Sequence, residues 1–220
     1  MKKKITLIVL QAVFGIAVVG FVWWLAHIIS TPIEFKDHLA NRTATVVERI
    51  KDIRKAEQQF KSKYNHFTAD FDSLITFVLT AQMEGERKLI DENDSVAMAE
   101  ATAKAKKMRK KFVNVEKFTY SVKDSLFKHL TPQQVEELRY IPFTNNKTEF
   151  ILEADKLTTE AKVTISVVEC RAPYKAFLDT TAYRQEIINL IDDVQNNQNK
   201  YPGIKFGALD RGTNEAGNWE

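Results

Sequence analysis

Apolar residues come in three patterns along this chain, and each predicts a different element. From Ile5 to Ile29 they are nearly continuous, interrupted by Thr6, Gln11, Gly15, Gly20 and His27 and by no Asp, Glu, Lys or Arg. A run of about 25 such residues is long enough to cross a hydrocarbon core as a helix. From about Glu34 to Lys63 the pattern becomes periodic. Val46, Val47, Ile50, Ile53, Ala56 and Phe60 recur at three- and four-residue steps, with Glu48, Lys51, Asp52 and Lys55 opposite them. This predicts an amphipathic stalk helix, beginning after an interruption at Pro32. Arg49 and Glu57 fall on or beside the stripe and spoil it. The stripe packs on the domain that follows or, in part, on other subunits.

Beyond Asn65, which marks a turn, Thr68 or Asp70 caps a short helix bearing Phe71, Leu74, Ile75 and Val78. Residues 81–111 read as a charged helical insertion. Acids (Glu84, Glu86, Asp91, Glu92, Asp94) precede an alanine-rich helix from Ser95 to Lys111, whose basic end suits the helix dipole. The third pattern is alternation. Phe118, Tyr120 and Val122 predict a strand, and Arg139–Thr144 and Thr148–Ala154 predict a hairpin around Asn145-Asn146-Lys147. Lys162–Cys170 predicts the clearest strand, with Val163, Ile165 and Val167 on one face. Between them, Thr131-Pro132-Gln133-Gln134 reads as a capping box with proline at the first helical position. Asp179 or Thr180 opens a last helix with Tyr183, Ile187, Leu190, Ile191 and Val194 inward, and Ile204–Leu209 adds a final strand.

The expected fold class is α+β: an N-terminal transmembrane helix and an amphipathic stalk helix, then a small antiparallel sheet packed with short helices. The expected divisions are an anchor at 1–30, stalk and short helix at 31–80, the insertion at 81–111 and an α+β domain at 112–220.

Charge fixes the orientation. Lys2, Lys3 and Lys4 precede the apolar run, and the nearest base on its other side is Lys36. That bias places the N-terminus in the cytoplasm and the rest outside it. The run is about twice a secretory leader's core and ends in Trp23-Trp24-Leu25-Ala26-His27 rather than at a small-residue cleavage site, so an uncleaved anchor is expected. Without Lys2–Lys4, the 32 basic residues fall level with the 29 acids, leaving no basic excess for nucleic acid. Cys170 is the single cysteine, so no internal disulfide forms, and a bacterial envelope location fits better than a secreted eukaryotic one.

The sequence of elements resembles type IV pilins and the pseudopilins of type II secretion systems. The resemblance covers residues 1–80: a membrane-crossing helix continued by a charged amphipathic one, ending in Ala56-Glu57-Gln58-Gln59-Phe60-Lys61-Ser62-Lys63-Tyr64-Asn65-His66-Phe67, then a short leucine-bearing helix. It implies a non-enzymatic subunit acting through protein contacts. Pilin precursors carry a glutamate at the fifth mature position. Counting from Ile16 after Gly15, that position is Gly20, which argues against a normal filament role.

Candidate chemistry is sparse. No phosphate-binding loop, dinucleotide glycine pattern, zinc spacing or nucleophile elbow is present. Cys170 reads as a buried thiol, and His38, His66 and His129 as isolated. The tail from Asp210 to Glu220 reads as a polar segment pinned by Trp219. Its oxygen-rich loop is also a calcium candidate, with Asp210, Asn214 and Glu215 as ligands, an idea that calcium-holding C-terminal loops of some pseudopilins strengthen by resemblance. Gln11, Gly15 and Gly20 are candidates for packing against another transmembrane helix. Lys104, Lys106, Lys107, Arg109, Lys110 and Lys111 are candidates for docking an acidic partner or lipid.

The expected function is a single-pass inner-membrane subunit of a bacterial envelope-spanning assembly, contacting other membrane or periplasmic proteins or further copies of itself. The alternatives are an accessory subunit of an energised membrane motor or transporter, and an anchored periplasmic hydrolase.

Overall fold

The computed structural model describes residues 2–91, 94–108, 114–160 and 162–220, with the backbone alone described at 2–9 and 26–30. Helix α1 runs unbroken from Lys2 to Tyr64. The expected break at Pro32 does not occur. Proline removes one N–H from the helical ladder, and a helix this long, held in a core from Phe35 onward, absorbs that loss. The segments expected as anchor and stalk are therefore one helix. Asn65, at a φ of 62°, turns the chain out of it, its N–H bonding to Lys61 O at 2.7 Å.

Helix α2 (Phe71–Thr80) follows, capped by Asp70, whose carboxylate accepts from the N–H groups of Asp72 and Ser73. The insertion departs from expectation. Its first part is strand β1 (Gln82–Lys88), paired antiparallel with β2 (Val115–Ser121), and helix α3 (Ser95–Lys107) lies between them. The strand carries no apolar alternation, so its signal was invisible in one segment. It lies in the cross-strand pairs: Glu86 faces Lys117, Arg87 faces Glu116, and the Phe118 ring covers Gly85. Val122, expected in the strand, instead opens helix α4 (Val122–Leu126).

Helix α5 (Pro132–Glu136) starts at the expected capping box. Thr131 Oγ1 accepts from Gln134 N, and Gln134 Oε1 accepts from Thr131 N. Thr131→Ala is expected to cost about 1 kcal/mol of stability, checked by urea denaturation. The expected 139–154 hairpin is reduced to a bridge between Tyr140 and Glu149. The sheet is β3 (Ile151–Thr158), β4 (Thr164–Pro173) and β5 (Gly203–Gly207), antiparallel in that order. The short α6 (Tyr174–Phe177) and then α7 (Arg184–Asp192) connect β4 to β5.

Strand β4 is covered on both faces. Val168, Cys170 and Ala172 enter the core, and on the other face Val167 is buried, Ile165 half-buried and Val163 exposed. Register aligns Leu152 with Cys170 and Phe206, and Ala172 with Ile204. β4 has apolar residues on both faces, so alternation alone did not choose between them. Val46, Ile50, Ile53 and Ala56 of α1 are fully buried in the same cluster, which also takes in α2, α4, α5 and α6. The stalk and the 112–220 region thus share one core. The mixed α+β class stands. Among the described residues no helix is long and apolar enough to cross a membrane; the side chains described in the apolar stretch 5–29 are those at 10–25.

Candidate functional site

Helix α1 presents two different surfaces. Every described side chain from Leu10 to Leu25 is exposed, including Phe14, Ile16, Val19 and Trp23. This part is apolar all round, with no polar face to set against water. A helix of that kind belongs inside a larger protein or a bilayer. Gln11 is exposed, and a Cβ added at Gly15 or Gly20 would meet nothing within 4 Å. Among the described residues, the three candidates for helix packing therefore have no partner.

Contact with the domain begins at Phe35, which lies against Tyr183 at 5.6 Å between ring centroids. Two turns on, Arg42 donates to Phe177 O at 2.5 Å and covers the Phe143 ring. His38 accepts from Asp179 N, and burial, helped by the nearby Arg42 charge, lowers its pKa. The two residues that spoiled the apolar stripe both have places. Arg49 Nη1 donates to the carbonyls of Glu137 and Tyr140, fixing the turn after α5. Glu57 is fully buried. Its Oε2 accepts from Thr68 N at 3.1 Å, Oε1 has no hydrogen-bond partner, and burial pushes its pKa up to about 8.

Cys170 is fully buried, and desolvation raises its thiol pKa well above the usual range. That suppresses the thiolate a nucleophile requires. His129 is half-exposed and meets Asp52 at 3.4 Å in a groove of about 460 Å³ between α1 and α5, with Lys55 also at Asp52. Sequence reading missed this pair, since the two residues are remote in the chain. The Glu57 signal was present as an acid on an apolar stripe.

The C-terminal tail is strapped along α1. Arg54 pairs with Glu220 at 2.6 Å and lies over the Trp219 ring, and it also donates to Glu215 O. Of the three calcium candidates, Glu215 directs its carboxylate to Lys61 and Gln58, Asp210 faces Arg211 at 3.9 Å, and Asn214 lies in the turn between them with a φ of 49°. Among the described residues no group of three or more His, Cys, Asp or Glu side chains is placed to hold a metal. The tail also covers the edge of β5: Gly207 N donates to Ala216 O, and Asn218 bonds to Lys205 and Gly203.

The β1–β2 ribbon and α3 form an arm. Lys104, Lys106 and Lys107 lie on α3 and are all exposed, and Arg109, Lys110 and Lys111 lie outside the described residues. No family model matches the chain, and no curated protein or solved structure matches it.

Proposed function

We propose that this chain is a single-pass, non-enzymatic subunit of a bacterial envelope-spanning assembly. The apolar half of α1 anchors it in the inner membrane with Lys2–Lys4 on the cytoplasmic side. The domain that begins near Phe35 works in the periplasm through protein contacts. The observation that carries the reading is the division of one helix into two halves. From Leu10 to Leu25 it is apolar and bare; from Phe35 to Phe60 it is built into a core. A bare apolar helix on a well-packed domain is explained when lipid or another helix covers it. The layout is pilin-like, with Gly20 where a pilin carries its glutamate.

A second reading, an accessory subunit of a membrane motor or transporter, draws on Gly15 and Gly20, which leave α1 open to close approach by another helix. Purification of the full chain in mild detergent separates the two. A stoichiometric polytopic partner supports the accessory role, and cross-linked oligomers of the chain support the pilin-like one. A monodisperse monomer with no partner, extracted under conditions that preserve other envelope complexes, would contradict both.

A further inference from the structure

Helix α3 is the element of this fold with least to hold it in place. None of its side chains is buried, and it makes no extended contact with any other element. A helix of about 13 residues is marginal in water unless another surface packs on it. Its basic end carries Lys104, Lys106 and Lys107, without an ion pair among the described residues.

A surface of complementary charge lies elsewhere on the same molecule. Between α2 and the turn after α5 runs an open groove of about 760 Å³. Ile75 and Leu79 supply apolar lining, and Asp72, Glu136 and Glu137 supply acid. Of the bases nearby, Arg139 is already engaged by Asp72 and Glu149, and Arg49 lies close to Glu137, whose carbonyl it bonds. The groove therefore keeps an acidic excess at the edge of an apolar strip. That composition suits an alanine-rich helix ending in lysines.

We propose that the basic end of α3 from one copy docks in the α2–α5 groove of a second copy. The contact is heterologous, pairing two different surfaces, so it builds a ring or an open array rather than a closed two-fold dimer. It does not depend on the acid that the anchor lacks at Gly20. The proposal rests on reading the chain as an assembly subunit.

The test uses two differently tagged full-length chains in mild detergent, one carrying Met108→Cys at the end of α3 and the other Thr76→Cys in the groove. Both reporters leave every proposed ionic partner in place, and Cys170 is buried and stays out of the reaction. A disulfide between the two tagged chains is the expected result. Reversing Lys104, Lys106 and Lys107 to Glu is expected to lower the cross-linked fraction roughly tenfold. Adding Glu136→Lys and Glu137→Lys to the groove-bearing chain is expected to restore it. The contact is overturned if no inter-chain disulfide forms, or if charge reversal leaves the yield unchanged. It is equally overturned if the α3 lysines instead govern binding to anionic phospholipid vesicles. Co-purification of other envelope proteins without the inter-chain disulfide would overturn this contact and leave the assembly role standing.

Discussion

Replacing Glu57 with Gln is expected to flatten the pH dependence of stability between about pH 4.5 and pH 8, and to leave the variant more stable than the parent at the upper end. The carboxyl sits at zero exposure among apolar side chains, with Cys170 the other titratable group against it. In the folded chain it stays protonated up to about pH 8, against 4.5 for an ordinary glutamate. The sign follows from proton counting. Below pH 4.5 both folded and unfolded chains hold the proton, and the group contributes its full stability. As pH rises from 4.5 to 8 the unfolded chain releases the proton while the folded chain keeps it, so stability falls across that window. At about 1.4 kcal/mol per pH unit the loss is on the order of 3–5 kcal/mol. The amide introduced by Glu57→Gln keeps an oxygen to accept from Thr68 N and never ionises. Its extra N–H group has no partner waiting, which shifts the variant's curve by a constant and leaves its slope untouched. Urea denaturation of the full chain in mild detergent at pH 5, 6.5 and 8 reads the difference. Parallel parent and variant curves across that range would show that Glu57 ionises in the folded chain as it does in water.

Gly207→Ala is expected to cost on the order of 3 kcal/mol. Gly207 has a φ of +74°, in the left-handed region, and an added Cβ would sit 1.9 Å from Val168 O, a backbone atom that cannot swing away. Relief requires β5 to separate from β4. Because Gly207 N also donates to Ala216 O, that movement loosens the C-terminal tail. Two signals should appear together: a lower denaturation midpoint, and faster proteolysis after Arg211. Gly212→Ala serves as the contrast. There the added carbon meets only the end of the Ile165 side chain at 3.0 Å, and a change within about 0.5 kcal/mol is expected. Equal effects at the two glycines would contradict the β4–β5 geometry.

The sequence reading succeeded where a local interaction leaves a local signature. The Thr131-Pro132-Gln134 box, the turn at Asn65 and the stripe from Val46 to Phe60 each depend on residues within a few positions of one another, and each formed as expected. It failed where the deciding partner is distant. β1 is a strand because Glu86, Arg87 and Gly85 meet Lys117, Glu116 and Phe118 across the ribbon. In β4, Val168, Cys170 and Ala172 join the core that α1 helps to build, while Val167 on the other face is buried as well, so alternation along the strand alone could not say how the two faces are covered. Pro32 read as a terminator because a proline's local cost is visible and the support of a long helix around it is not. For the candidate surfaces the same division holds. The bare half of α1 and the α3 lysines were readable as composition. The burial of Glu57, the Asp52–His129 pair and the strap of Arg54 on the tail depend on tertiary placement.

The placement of α1 underlies the proposed role: an anchor in the inner membrane that carries a periplasmic domain. Protease treatment of a Gram-negative host expressing the full chain, combined with an alkaline carbonate wash of its membranes, tests that placement most directly. The chain should remain in the carbonate-washed membrane pellet. Its domain beyond Phe35 should be digested in spheroplasts and protected in intact cells. Release of the chain by carbonate, or a domain that survives protease in spheroplasts and is digested only after the inner membrane is broken, would contradict it.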